Sequence, residues 1–182
     1  MYNGAGRRAP ASSLITRSGL DKQFTLWLII NDMKNTPKGW PRISASIFYD
    51  DAAAAIDWLC KAFGFEVRLR VEGDNGRIEH SELMFGEGVV MVGQTGTDPQ
   101  RAFKAKLKSP RSLGGANTQS LMLYVDEVDA HCARARAAGA DISAEPALHD
   151  YGADYWADRS YGAVDPKGHH WWFTERVRDP HA

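Results

Sequence analysis

The chain has 182 residues, of which 43% are hydrophobic and 25% are charged, proportions that are ordinary for a globular domain. Its formal net charge of −1 provides no overall field to attract nucleic acid or an anionic membrane surface. No apolar run approaches the ~18 residues needed to cross a bilayer. The two cysteines have no CxxC spacing, which argues against a disulfide framework and favours the reducing cytoplasm.

The first forty residues show no regular hydrophobic period. Residues 1–32 are rich in glycine, serine, arginine and alanine, and Met33 is a possible natural start. This composition predicts a disordered or loosely docked extension over residues 1–40. Functional residues are therefore expected in the rest of the chain.

A pattern of strand, helix and three strands begins at Ile43. Residues 43–49 have strand character, and Asp51 is a candidate N-cap for a helix that Gly64 is expected to end. The apolar and polar residues that follow predict three more strands, at residues 65–72, 77–85 and 89–93.

The same order of elements then repeats. A strand over residues 119–125 precedes a helix whose predicted boundaries, Asp126 and Gly139, lie at one constant offset from Asp51 and Gly64. Three further strands are predicted at residues 140–146, 159–164 and 169–177. Repetition on this scale indicates two βαβββ modules and hence an α+β fold.

Domain boundaries follow from the repeat. The chain divides into a first module at 41–94, a linker at 95–118, a second module at 119–177 and a tail at 178–182. The linker carries five basic residues and one acidic residue, so it is either a patch for an anionic ligand or a solvated connection.

Three segments resemble the vicinal oxygen chelate superfamily, which contains glyoxalase I, extradiol dioxygenases and bleomycin-resistance proteins. They are RIEHSELMFGEGVVMVG at 77–93, YVDEVDAH at 124–131 and ADRSYGAVDPKGHHWWF at 157–173. The resemblance covers about residues 41–177 and is greatest to the phosphonate-operon-type glyoxalase-like branch. It implies that the two modules form a curved mixed sheet around a cleft, and that the protein is a homodimer.

The resemblance also implies where a metal would be bound. Metal enzymes of this superfamily place ligands on the first and last strand of each module, which here correspond to Ser44, Met91, Ser120 and Trp172. A slip of one residue would replace Met91 by Val90 or Val92. Hydroxyl and thioether groups are poor ligands for Zn, Ni, Mn or Fe(II), and the indole N–H is only a donor. We therefore expect no metal at these positions and no cofactor.

A cleft of this geometry would have an apolar and aromatic lining. Strand parity predicts that it is lined by Ser44, Ser46, Phe48, Met91, Ser120, Met122, Tyr124, His170 and Trp172. Such a wall suits a planar, amphipathic or cationic organic molecule, although the same residues could simply pack against each other as core.

A loop over residues 150–162 is expected beside the mouth of the cleft. Trp156 and Arg159 are its candidate ligand-binding residues. Arg159 could pair with a ligand carboxylate or phosphate, or with Asp154 or Asp158 nearby.

His80 and Glu82 offer an alternative chemistry. They are two residues apart on a predicted strand and so share a face. Glu82 could orient His80 as a general base, or the pair could hold a divalent metal with His149 or His170 as third ligand. A third possibility is a local hydrogen bond on a solvated edge.

The sequence thus predicts a cytoplasmic, metal-independent protein that binds or sequesters a small aromatic, amphipathic or cationic molecule. No nucleic-acid or membrane partner is expected. The alternative is a lyase, isomerase or dioxygenase of the same superfamily, with catalytic residues His80 and Glu82. Whether the protein is an enzyme is left open by the residues alone.

Overall fold

The fold is given by a computed structural model that describes residues 34–96 and 101–180. Residues 1–33 of the predicted N-terminal extension and residues 181–182 of the predicted tail lie outside the described residues. Residues 34–37 form no helix or strand, and a compact unit begins at Lys38. Among the described residues, no helix is both long enough and apolar enough to span a bilayer.

The compact unit contains the two predicted modules. The first consists of β1 (Ala45–Tyr49), α1 (Ala52–Phe63), β2 (Glu66–Glu72), β3 (Ile78–Phe85) and β4 (Gly88–Gln94). The second consists of β5 (Ser120–Tyr124), α2 (Val128–Ala137), β6 (Asp141–Asp150), β7 (Ala157–Val164) and β8 (His170–Arg178).

Each module forms one four-stranded mixed sheet. The N-terminal sheet has the strand order β1-β4-β3-β2 and the C-terminal sheet the order β5-β8-β7-β6. The first strand of each module runs parallel to its last strand, and the other neighbours are antiparallel. The predicted α+β fold with two βαβββ modules is confirmed.

The two helices begin in different ways. The Asp51 side chain accepts a hydrogen bond from the Ala54 amide at 3.0 Å, as expected of an N-cap. In contrast, α2 starts one residue later than predicted, because Glu175 of β8 accepts the Val128 amide proton at 3.0 Å. The predicted exact repeat of the helix boundaries is therefore wrong.

Strand β6 is longer than predicted. It continues past Pro146 to Asp150, and its pairing with β7 shifts register between Ala144 and Ala147. An irregularity of this kind accommodates a proline, which cannot donate a ladder hydrogen bond.

One apolar core joins the modules through their helix-bearing sides. The ring of Phe63 on α1 lies 5.4 Å from the Trp171 ring and 4.7 Å from the Phe173 ring, both on β8. Ile47 of β1 and Tyr161 of β7 belong to the same buried cluster. Because the helix-bearing sides face each other, the opposite faces of the two sheets are left uncovered by this core.

The carboxylate of Asp165 lies at the centre of the contact between the modules. It is only 2% exposed and accepts hydrogen bonds from the Tyr49 hydroxyl at 2.5 Å and the Trp171 indole N–H at 3.2 Å. It also accepts from the amides of Lys167 and His169, at 2.8 and 3.1 Å. Burial, and then the charge of Asp165, raise the pKa of Tyr49 well above its ordinary value, so this hydroxyl remains a donor.

The linker packs against this same turn. Ser109 is fully buried and donates to Asp50 at 3.1 Å, and the amide of Arg111 donates to the Lys167 carbonyl at 2.9 Å. These contacts tie the linker to both modules. Most of the described linker residues are nevertheless exposed, including all of residues 111–118.

His131 makes a further polar contact between the modules. Its Nε2 lies 2.9 Å from the carbonyl oxygen of Phe63 and its Nδ1 lies 2.6 Å from the Tyr161 hydroxyl. A carbonyl can only accept, so Nε2 carries the proton and Nδ1 accepts from Tyr161. Burial lowers the pKa of His131 to about 4, and the nearby charge of Arg134 acts in the same direction.

The free energy of unfolding is expected to decrease by about 2 kcal/mol between pH 7 and pH 4.5 through His131. The unfolded chain gains a proton near pH 6.5, whereas folded His131 remains neutral until about pH 4. Urea unfolding at both pH values measures this decrease in the free energy of unfolding. The decrease should be smaller by that amount in His131→Gln, and it should stay as in the wild type in His80→Gln, which changes a half-exposed histidine. Equal decreases in all three proteins would contradict the assignment.

Candidate functional site

The predicted ligand-binding residues divide between the two uncovered sheet faces. We call the side of the N-terminal sheet that points away from α1 the N-face, and the side of the C-terminal sheet that points away from α2 the C-face. Strand pairing places Ser46 beside Met91 on the N-face. On the C-face it places Ser120, Met122 and Tyr124 beside His170, Trp172 and Thr174.

On the N-face, the aromatic ring of Phe48 packs over Gly93 of β4. A Cβ atom on Gly93 would be 2.7 Å from Cε1 of this ring, closer than van der Waals contact permits, so only glycine leaves room for it. Met91 is half-buried beside Ser46, whereas its neighbours Val90 and Val92 pack toward the core. Met91 therefore lies on the N-face as predicted, and the strand register is not shifted by one residue to Val90 or Val92.

On the C-face, the tip of the Trp172 indole contacts β7. Trp172 pairs with Gly162, and a Cβ on that glycine would be 2.8 Å from the Ser143 hydroxyl and 3.5 Å from Cη2 of the indole, an ordinary van der Waals contact. Trp172 is 38% exposed, Met122 60% and Tyr124 51%. Large apolar side chains that are exposed side by side on one sheet face are typical of a binding surface.

The four positions that the resemblance implies for metal ligands are divided between the two sheets. Ser44 precedes β1 and Met91 lies on the N-face, while Ser120 and Trp172 lie on the C-face. None of these side chains supplies a carboxylate or an imidazole. Within residues 34–96 and 101–180, no three His, Cys, Asp or Glu side chains lie together as a possible metal site. The hypothetical triad of His80, Glu82 and His149 or His170 is thus not assembled in one chain.

Glu82 is the centre of a polar cluster on the N-face. Its side chain is 8% exposed and is held by the Nε atoms of two residues, His80 Nε2 at 2.9 Å and Arg68 Nε at 3.1 Å. The Arg68 guanidinium also donates to the Gly39 carbonyl and lies over the Trp40 ring at 4.8 Å. The predicted His80–Glu82 pair therefore exists, with an arginine partner that sequence reasoning missed.

A second cluster of this kind lies on the C-face. The Arg176 guanidinium lies 5.7 Å from the centre of the Tyr124 ring and 5.5 Å from that of Trp156. Its Nε donates to Asp158 at 2.5 Å. The predicted ligand-binding residue Trp156 is accordingly at the edge of the C-face, in contact with an arginine of its own chain.

Arg159 does not reach the C-face. It shares strand parity with the buried Tyr161 and makes two hydrogen bonds of 2.7 and 2.8 Å to Asp129 of α2. The predicted partners Asp154 and Asp158 are wrong, because Arg159 lies on the side of β7 that faces α2 and its partner there is Asp129.

The predicted lining residues do not enclose a single cleft within the described part of one chain. The groove between the modules measures about 950 Å³ and runs from the β3–β4 turn to β5 and the start of α2. Of the predicted lining residues, only Met122 and Tyr124 border it. The others remain on two separate faces, which the packing of the helices directs away from each other.

Comparison with known proteins assigns the chain to a family. The family model described as the Glyoxalase/Bleomycin resistance protein/Dioxygenase superfamily matches residues 42–173. Uncharacterized protein Mb0911c of Mycobacterium bovis is 39% identical over 140 residues, which are 76% of this chain and 86% of that protein. Uncharacterized protein Rv0887c of Mycobacterium tuberculosis is also 39% identical over 140 residues, 76% of each chain.

Solved structures agree with this assignment. TioX from Micromonospora sp. ML1 is 34% identical, covers 74% of this chain and 95% of its own, and superposes with a TM-score of 0.54. TnmS3 from Streptomyces sp. CB03234, described as an antibiotic binding protein, is 18% identical with a TM-score of 0.55, covering 80% of this chain and 99% of its own; this shows likeness of fold. The chain therefore belongs to the Glyoxalase/Bleomycin resistance protein/Dioxygenase superfamily.

Proposed function

We propose that this protein binds and sequesters a small aromatic or amphipathic molecule without using a metal ion. The observation that carries the proposal is the group of exposed large apolar side chains on the C-face, Met122, Tyr124 and Trp172, which the Phe48 ring over Gly93 complements on the N-face. An aromatic ring exposed on a sheet face can stack on a planar ligand, whose apolar surface is then removed from water. Serine hydroxyls on both faces, at Ser46 and Ser120, would orient the ligand.

The binding cleft in this proposal is completed by a second copy of the chain. The N-face and the C-face of one chain are directed apart by the core around Phe63 and by the Asp165 network. A homodimer in which the N-face of one copy meets the C-face of the other would bury Met122, Tyr124 and Trp172. Because two-fold pairing is reciprocal, it creates two equivalent clefts.

The family supports this proposal without fixing the ligand. A protein of the same fold, TnmS3, is described as an antibiotic binding protein, so the fold accommodates binding as well as catalysis. The four positions at which related enzymes hold a metal carry Ser44, Met91, Ser120 and Trp172 here. Membership of the phosphonate-operon-type branch and a cytoplasmic location, which would suit the free thiols of Cys60 and Cys132, are part of the same proposal.

Native mass spectrometry of the protein purified from its own host tests this function. We expect a dimer that retains an organic molecule and contains no stoichiometric metal, because the faces offer stacking surfaces and no ligand set. Treatment with a chelator should leave the bound molecule in place. A metal ion at one per site, whose removal releases the molecule, would overturn the proposal.

An enzyme acting through His80 is the second candidate. The 2.9 Å contact between His80 Nε2 and Glu82 Oε1 favours it, since the carboxylate would fix the ring orientation while the side chain remains 44% exposed to a substrate. The superfamily reactions would be those of a lyase, isomerase or dioxygenase.

The His80→Ala variant tests this candidate. If the pair is catalytic, turnover of superfamily substrates should decrease by about 10²-fold or more while the melting temperature changes little. A variant that retains full turnover, or a wild-type protein without turnover, would exclude a catalytic role for His80. Glu79→Ala, on the same strand, is the matched control.

A further inference from the structure

The rings of Tyr124 and Trp156 enclose a positive charge that belongs to the protein itself. The carbon centre of the Arg176 guanidinium lies within 5.7 Å of both ring centres, inside the range of a cation–π interaction. Its Nη2 also donates to the Tyr124 hydroxyl at 3.0 Å. We refer to Tyr124, Trp156 and the carboxylate of Asp158 together as the cation box.

Arg176 is held firmly in this box. Its Nε donates to Asp158 at 2.5 Å, and that carboxylate is only 12% exposed, while Nη1 donates to the exposed Asp179 at 3.2 Å. In the part of the chain that the structure describes, the guanidinium thus contacts two aromatic rings, the Tyr124 hydroxyl and two carboxylates. A buried carboxylate paired with an arginine is costly to separate, so Arg176 is not expected to leave the box for a ligand.

The N-face repeats the arrangement. There, Arg68 lies over Trp40 at 4.8 Å and pairs with the nearly buried Glu82 at 3.1 Å. Each face thus has an aromatic ring and a carboxylate that together would suit a ligand cation. On both faces, a guanidinium of the chain itself already binds them. Outside these two sites, the two faces also carry the aromatic rings of Phe48 and Trp172.

We infer that Arg176 determines ligand specificity, by filling the cation box so that the site selects uncharged planar aromatic molecules over cationic ones of the same shape. A cationic ligand would lose hydration on entering the cleft and would find neither ring nor carboxylate free in the box to compensate. An uncharged ligand loses nothing from this occupation and stacks on Trp172. The inference rests on the proposed binding function and restricts the expected ligands to uncharged molecules.

The test compares two probes with the same tricyclic ring system, which differ by one N-methyl group and one charge, in titration calorimetry at mildly alkaline pH. Acridine is uncharged there, and N-methylacridinium is permanently cationic. Wild-type protein is expected to bind acridine at least about fivefold more tightly than N-methylacridinium. Arg176→Ala empties the box and leaves Asp158 unpaired, so its affinity for N-methylacridinium should rise about tenfold relative to acridine.

Two further variants show whether a change in the affinity ratio comes from the Arg176 cation in the box or from a general disturbance of the strand. Arg178→Ala removes the same charge from the same strand, where Arg178 pairs with Asp150 and contacts neither ring of the box, and should keep the wild-type ratio. Arg176→Lys keeps the cation and should also keep it. If Arg176→Ala does not fold, Arg176→Gln replaces it.

The outcomes are distinguishable. Equal binding of both probes by the wild type, or an unchanged ratio in the folded Arg176 variant, overturns the specificity role and leaves the binding function standing. Failure of both probes to bind any of the proteins removes the proposed planar-aromatic binding function, and the inference with it.

Discussion

Asp165→Ala is expected to lower the free energy of unfolding by about 3–5 kcal/mol, the largest effect of any single substitution considered. The carboxylate is 2% exposed and accepts four hydrogen bonds, two of them from the side chains of Tyr49 and Trp171. Alanine would leave these buried donors without an acceptor. Urea unfolding followed by circular dichroism measures the loss.

Two matched substitutions show whether the loss comes from this network. Tyr49→Phe removes a single donor and should cost about 1 kcal/mol. Asp129→Asn weakens the exposed pair with Arg159 and should change stability by less than about 1 kcal/mol. If Asp165→Ala is no more destabilising than Asp129→Asn, Asp165 does not hold the modules together.

The order and type of the elements follow from the sequence because the signals for them are local. Asp51 caps α1 through its own side chain, and Gly64 ends the helix in the left-handed region at φ 83°. The second helix was misjudged by one residue because its cap, Glu175, lies 47 residues away on another strand. Local patterns do not reveal a cap supplied from such a distance.

Strand parity predicts which residues share a face, and does so correctly on β8. Trp171 and Phe173 pack into the core, while His170 and Trp172 are exposed on the other side. Parity does not show which faces meet, because that depends on how the modules pack. How the modules pack depends on Phe63 and Asp165, which contact residues far away in sequence. Local patterns do not reveal these contacts, so the sequence could not show that the predicted lining residues lie on two separate faces.

Some of the residues that sequence reasoning missed do carry a recognisable signal in the sequence. Gly93 and Gly162 are isolated glycines within strands, which indicate the close approach of another group, here the Phe48 ring at Gly93 and the Ser143 hydroxyl at Gly162. The ion pair of Arg176 with Asp158 is different, because it joins two strands. In the sequence, the carboxylate of Asp165 belongs to a DPKG turn signal, and nothing local shows that it is buried.

The proposed cleft between two copies can be tested by mixing two inactive variants. Phe48→Ala damages only the N-face, and Trp172→Ala damages only the C-face. Each variant alone should bind the planar probe acridine at least about tenfold more weakly than the wild type, since each loses one stacking surface.

Co-expression of the two variants should restore binding. In a mixed dimer, one cleft combines both damaged faces, and the other combines the intact N-face of the Trp172→Ala chain with the intact C-face of the Phe48→Ala chain. With random pairing, about a quarter of the wild-type number of sites should regain full affinity. Titration calorimetry of the co-expressed protein gives this number directly. Full-affinity sites near that fraction would support a cleft shared between two copies, whereas their complete absence would contradict it.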